Sequence, residues 1–208
     1  MVDLRLIGLL NMPAPAKGVL TRERIVQLAA PVFNRKGYAG ASMADILEAT
    51  GLQKGGIYNH FESKEQLAVE AFDYAIELMI ERWRDAIEGK TRAADRLRAV
   101  VGMFDASLKL EGGCPLMNTA IEADDNHPVL RTRARKAMDA CRATVARIVA
   151  KGRDRGEVRA TADPDQVATI LISTLEGGLM MSKLYNDGRY LRQAQEQMER
   201  WIGNELEV

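Results

Sequence analysis

The stretch Ser42 to Leu67, SMADILEATGLQKGGIYNHFESKEQL, constrains this chain more than any other. Met43, Ile46 and Leu47 stand three and four residues apart, on one face of a helix, and Gly51 breaks the pattern where a turn is needed. Ser42 with Asp45 three residues on, and Ser63 with Gln66, carry the chemistry of helix N-caps and mark two starts. Between them, Ile57 and Phe61 are four apart and anchor Lys54 to Phe61 inward, leaving the opposite side polar. The spacing predicts two short helices joined by a tight glycine turn, followed by the capped start of a third.

A short helix of this kind suits a DNA groove. Gly55 and Gly56 let backbone approach the duplex, and the amide-rich start of the helix, with Lys54, favours phosphate. Ser42, Tyr58, His60 and Lys64 can contact the phosphate backbone. Gln53 and Asn59 carry side-chain amides able to pair with adenine edges, so they are the expected base readers.

GLQKGGIYNHFESKEQL resembles the DNA-binding signature of the TetR family of transcriptional regulators, in which a glycine turn, a short Gly-bearing recognition helix, Tyr-x-His-Phe and a downstream Lys-Glu-x-x-Leu recur at this spacing. The resemblance extends upstream to Thr21. It departs at Gln53, where the family usually has a small residue such as Ser or Ala, so base preference is expected to differ there. The resemblance implies an all-α protein: an N-terminal helix-turn-helix head of three helices, then a C-terminal helical body for ligand binding and dimerisation. It also implies that the fourth helix connects head to body and moves like a pendulum, and that the protein is a homodimeric repressor on a near-palindromic double-stranded DNA operator. A small apolar or electrophilic effector would release it. No cofactor is implied.

Of the 208 residues, 47% are hydrophobic, enough for a real core. The formal net charge is zero, which does not favour phosphate binding taken over the whole chain. From Thr21 to Phe61, however, Arg22, Arg24, Arg35, Lys36 and Lys54 stand against Glu23, Asp45 and Glu48, a surplus of two positives. So modest a footprint requires dimeric binding and oriented dipoles as well as charge. Cys114 and Cys141 are the two cysteines, with neither disulfide nor zinc spacing, which fits a reducing cytoplasm. The longest apolar run, Val167 to Met181, is interrupted by Glu176 and a glycine pair, so no membrane partner is expected.

Taken in order, residues 1–20 read as a flexible arm, with an alternative start at Met12; 21–66 as the DNA-binding domain; and 67–208 as the body. LRLIGLL and PAPAK have only the outline of a secretory leader, with Arg5 as the single positive charge before the apolar run. Thr21 is the expected cap of the first helix, Pro31 its expected kink and Gly37 its close. The connecting helix runs from Lys64 to about Glu88, with Leu67, Ala71, Tyr74, Ala75, Leu78 and Met79 inward, and about five body helices follow. One of them carries Leu97, Val100, Val101, Phe104 and Leu108 on a single face. The last two, roughly 163–185 and 190–205, are the expected dimer surface. The former is apolar nearly all round, and Gly177 and Gly178 permit close helix approach. Val167, Leu171, Leu175, Gly178, Leu179, Met198, Trp201 and Ile202 are the expected interface residues; a monomer burying both helices in its own core is the alternative.

Met103, Phe104, Cys114, Met117, Met138, Cys141 and Met180 are the expected neighbourhood of a ligand pocket, since sulfur-bearing side chains adapt to apolar molecules. Pro115 places Cys114 at a helix N-cap, where a thiolate is stabilised and electrophiles or oxidants could be sensed. A buried structural cysteine is the competing reading, and Cys141 is read as structural. Glu122, Asp124, Asp125 and His127 crowd before Pro128, but caps around a turn explain them better than a metal, and none is expected. Two rival functions remain: a helical enzyme, for which no nucleophile elbow, phosphate loop or metal pattern is present, and a protein-binding adaptor without DNA function.

Overall fold

The computed structural model describes residues 17–104 and 110–208, the first four by backbone alone. Residues 1–16, and with them the expected arm and the start at Met12, lie outside the described residues, as does Leu108. Among the described residues the protein is helical, with one isolated β-bridge between Val158 and Glu207. The helices are α1 (Lys17–Gly40), α2 (Met43–Thr50), α3 (Lys54–Tyr58), α4 (Lys64–Ile87), α5 (Ala93–Met103), α6 (Pro115–Ala123), α7 (Pro128–Asp154), α8 (Pro164–Tyr185) and α9 (Arg189–Trp201). A π-helical turn, Ile202–Leu206, continues α9.

α1 starts a turn before the expected cap, so Thr21 lies inside it; Pro15 is the last proline upstream. Pro31 is carried within the helix, and the break falls instead at Gly37, with φ 74° and ψ 170°. That backbone suits glycine because an L side chain would be strained there. Ser42 caps α2 as expected: its hydroxyl accepts from the Asp45 N–H at 3.2 Å while the Asp45 carboxylate accepts from the Ser42 N–H at 2.8 Å. Gly51 ends α2 in the left-handed region at φ 67°. Ser63 caps α4 through the Gln66 N–H, but the Gln66 side chain reaches the Glu62 N–H, not that of Ser63.

Ile25, Ala29, Val32, Ile46, Ile57, Phe61 and Leu67 bury together as the core of the head, and a separate, larger core fills the body. α4 serves both. Leu67 at its start belongs to the head, whereas Phe72, Ile76, Met79 and Trp83 belong to the body. Tyr74 and Leu78, expected inward, are only half-buried, while Phe72, Ile76 and Trp83 are buried. α4 packs against α1 on one side and α5, α6 and α7 on others, so its apolar arc is wider than a single stripe.

The expected dimer residues require correction. Val167, Leu171, Leu175, Gly178 and Leu179 of α8, and Met198 and Ile202, are buried within the subunit, and Trp201 is half-buried. A Cβ on Gly178 would lie 2.7 Å from that of Ala194, so its close helix approach is to α9 of the same chain. What α8 exposes is a different apolar set: Met180, Met181, Leu184 and Tyr185. By length and composition α8 is also apolar enough to cross a membrane, contrary to the expectation from its interrupted run; its buried face packs on α7 and α9.

The C-terminal segment is tied to the rest of the body. Arg159 N–H donates to the Leu206 carbonyl at 2.8 Å and Val208 N–H to that of Glu157 at 3.2 Å, while the Glu207 carboxylate pairs with Arg92 and Arg98 beside α5. Glu157 in turn accepts from the Ala93 N–H at 2.8 Å, at the start of α5.

Gly37→Ala is expected to lower stability by about 2 kcal/mol, because it combines left-handed backbone strain with a steric conflict. The added Cβ would sit 2.6 Å from a Glu122 oxygen. A reduced urea midpoint at unchanged slope is the readout.

Candidate nucleic-acid interface and body cavity

The expected DNA-reading face is built on a very short helix. Ile57 and Phe61, each 1% exposed, hold α3 against the head core, and Gly56 lies against Leu52. Gln53, Lys54, Gly55, Tyr58 and Asn59 are exposed and His60 is half-buried. Within the expected Lys54 to Phe61 stretch α3 ends at Tyr58, so Asn59 is its C-cap and His60 lies in the turn that follows. Gln53 is its N-cap, with no side-chain cap bond. The two expected base readers therefore flank the helix, roughly 9 Å apart along its axis at 1.5 Å per residue. Lys54 places its ammonium 5.8 Å from the Tyr58 ring centre, which puts charge and ring on one surface.

Several cations of the head are committed to its architecture. Arg22 stacks over the Phe61 ring at 4.2 Å, pairs with Glu70 and donates to the His60 carbonyl, fixing the turn after α3. Lys36 pairs with Asp45 at 2.5 Å, and with the Ser42 N–H and hydroxyl it holds the Asp45 carboxyl well below the usual carboxylate range. The Ser42 hydroxyl is thereby engaged in the cap as well as exposed. Arg35 pairs with Glu111 at 2.8 Å. Lys64, expected on phosphate, instead donates to the Tyr38 carbonyl at 2.5 Å and sits 4.5 Å above the Tyr38 ring. A lysine in the first turn of α4 faces back into the head, and this orientation removes it from the reading surface.

Head and body meet through a small apolar cluster, Ala30, Ala71, Ala75 and Leu110, and through polar groups. The Glu122 carboxylate, at the end of α6, accepts from the Tyr38 and Ala39 N–H groups, each at 2.8 Å, just past the Gly37 break. The Asn34 side chain donates to the carbonyls of Glu111 and Gly113, and Asn118 of α6 donates to the Asn34 backbone and side-chain oxygens. His127 caps α7 through Nδ1, lies edge-on to Tyr38 at 4.5 Å and approaches Glu65 at 3.5 Å. Asp124 is the C-cap of α6. Glu122 and His127 thus bind backbone, and among the described residues no cluster of three or more His, Cys, Asp or Glu is arranged around a metal position.

The body holds a cavity lined by Met79, Trp83, Met103, Phe104, Cys114, Leu116, Cys141, Ile172, Glu176 and Leu179. The cavity is small, about 30 Å³. Met103, Phe104, Cys114 and Cys141 were expected there. Met117 and Met138 instead pack half-buried against the body core outside the lining, and Met180 is on the surface. Trp83 and Glu176 are the consequential residues that sequence reasoning missed.

Cys114 is the N-cap of α6, its sulfur 3.5 Å from the Met117 nitrogen. The position does not yield a thiolate. Burial pushes the thiol well up, the Glu176 charge adds to this, and the S–H donates to Glu176 Oε1 at 3.0 Å. Burial, then Glu176, raises the Cys141 thiol to about 11. The cap dipole is outweighed, so neither thiol is poised for attack. Glu176 is itself raised above the ordinary carboxyl value by burial, against the lowering influence of the Cys114 hydrogen bond.

Two family models match: the bacterial regulatory proteins of the tetR family over residues 25–71, and the tetracyclin repressor-like C-terminal domain over residues 93–198. The second spans half of the chain. The chain belongs to the TetR family of transcriptional regulators. Among solved structures it is similar to a TetR regulator from Chloroflexus aurantiacus J-10-FL, with TM-score 0.89, 43% identity and coverage of 92% of this chain and 98% of that one. It is also similar to a TetR-family regulator from Cytophaga hutchinsonii, with TM-score 0.88, 35% identity and coverage of 94% and 99%. Among characterised relatives, the HTH-type transcriptional repressor DhaR of Mycobacterium sp. (strain GP1) is 27% identical over 168 residues, 78% of this chain and 82% of the relative. This TetR-family chain is a DNA-binding transcriptional regulator, not an enzyme.

Because folding raises the Glu176 carboxyl, the folded protein holds that proton more tightly than the unfolded chain does. The resulting stability is present in acid and is lost as pH rises from about 4.3, the ordinary value, through the folded one. Glu176→Gln, which does not ionise, is expected to gain stability relative to wild type as pH rises above the ordinary carboxyl range. Urea unfolding from that range upward measures it.

Proposed function

We propose that this TetR-family regulator is a cytoplasmic homodimeric repressor that leaves a near-palindromic operator when a small molecule enters the body cavity. The observation that carries the reading is that one helix touches both sites: α6 begins at Cys114 in the cavity wall and ends at Glu122 on the Tyr38 and Ala39 N–H groups of the head. The cavity is tight, so an entering ligand must move its walls, and a shift of α6 transmits directly to α1. Hydrogen bonds to a charged group contribute about 1.5–3 kcal/mol each. A hundredfold loss of operator affinity requires about 2.8 kcal/mol of coupling, so the two Glu122 bonds are of sufficient size.

On DNA, α3 of each subunit would enter the major groove with Lys54, Gly55, Gly56 and Tyr58 toward it, Gln53 and Asn59 reading bases from its two ends, and Tyr58, His60 and Lys54 meeting phosphate. Lys64 is better assigned to holding Tyr38 than to phosphate. Two-fold symmetry sets the half-sites about one helical turn, roughly 34 to 36 Å, or a multiple apart. The second subunit would dock on the apolar residues that α8 leaves exposed, Met180, Met181, Leu184 and Tyr185, with Gly177 open beside them.

A gel shift with DNA from upstream of the gene tests the reading; absence of salt-sensitive, two-fold-symmetric binding would sink it. Gln53→Ala or Asn59→Ala is expected to weaken operator binding by about 1–3 kcal/mol per half-site, with relaxed preference at the base it reads. Leu184 is 74% exposed, so Leu184→Lys should fold normally. Sedimentation is expected to show that variant as a monomer, with operator affinity reduced accordingly.

A further inference from the structure

Glu176 is the charged member of an otherwise apolar cavity wall. Its Oε1 accepts the hydrogen bond of the Cys114 thiol, whereas its Oε2 is fully buried and has no hydrogen-bond partner. Among the described residues no lysine or arginine forms an ion pair with it. A buried carboxylate in this state is costly, since it has lost water and gained neither counter-charge nor full hydrogen bonding. Beside it in the same lining stand the rings of Trp83 and Phe104, with centres 6.1 Å apart, and the thioethers of Met79 and Met103.

We propose that this cavity takes an organic cation, an ammonium group on a small apolar body, with Glu176 as counter-charge and Trp83 and Phe104 as flanking rings. The assignment rests on reading the cavity as the effector site. An ammonium supplies the positive charge that Oε2 lacks, and aromatic faces attract the same group through their quadrupoles. Other ligand classes fit less well. An anion would meet a like charge, and a wholly apolar molecule would leave the carboxylate further from water without compensation. An electrophile would meet two thiols held in their protonated form. A metal ion would find one carboxylate among thioethers and thiols, with no histidine in the lining.

Calorimetric titration of the full-length protein without DNA tests this, using tetramethylammonium, butyltrimethylammonium and benzyltrimethylammonium, with neopentylbenzene as the uncharged carbon isostere of the last. Benzyltrimethylammonium is expected to bind at least about tenfold more tightly than neopentylbenzene, and Glu176→Gln to lose at least about tenfold in ammonium affinity while keeping that for neopentylbenzene. Equal or tighter binding of the neutral isostere, or unchanged ammonium affinity in Glu176→Gln, overturns the proposal. So does the failure of every ammonium in the series to bind below about 1 mM. The isostere comparison on wild type decides the matter even where the variant folds poorly. Since no DNA is present, failure here condemns the ligand class, whereas failure of operator binding condemns the regulatory reading.

Discussion

Two backbone N–H groups at the end of α1 and one carboxylate at the end of α6 hold this molecule in register. Gly37 turns the chain so that the Tyr38 and Ala39 amides point at Glu122, and no side chain fits between them. The head has its own core and the body another, α4 enters both, and a small apolar cluster of Ala30, Ala71, Ala75 and Leu110 bridges them; the Glu122 bonds add direction to that contact. Directional bonds suit such a junction because they are lost over a fraction of an ångström, whereas apolar contact tolerates sliding.

The same economy governs charge. A net charge of zero, and a head in which Arg22, Arg35, Lys36 and Lys64 are turned to internal partners, leave a reading surface with little cationic surplus. Under the function proposed above, long-range attraction to DNA is correspondingly weak, and discrimination falls to short-range fit at Gln53, Asn59 and the bare glycine backbone between them. Charge used as scaffold orders the face but does not pull the duplex toward it.

Local grammar was readable from sequence wherever the cause is local. The Ser42 capping box, the Gly51 turn, the Ser63 cap and the Pro115 helix start are settled by residues within four positions, and the structure has each. Burial of Ile57 and Phe61 followed from their spacing. What failed needed partners distant in sequence. An α8 apolar all round was read as a surface for a second subunit, yet α7 and α9 cover most of its apolar residues, and the large ones left exposed, Met180, Met181, Leu184 and Tyr185, all lie past Leu179. Lys64 looked available because its partner, the Tyr38 carbonyl, lies 26 positions away. The N-cap position of Cys114 pointed toward a reactive thiol, but Glu176, 62 positions on, reverses that tendency. Glu176 was visible in the sequence as the charge that interrupts an apolar run; its position in a cavity wall was not.

The chain's last residues give the body an unexpected mechanical character. Leu206, Glu207 and Val208 lace onto the 157–159 turn and onto the arginines of α5, and α5 ends in Met103 and Phe104, two walls of the cavity. The 206–208 segment thus works as a drawstring on the body. A substitution in this segment, far from the cavity, therefore reaches the cavity wall through α5.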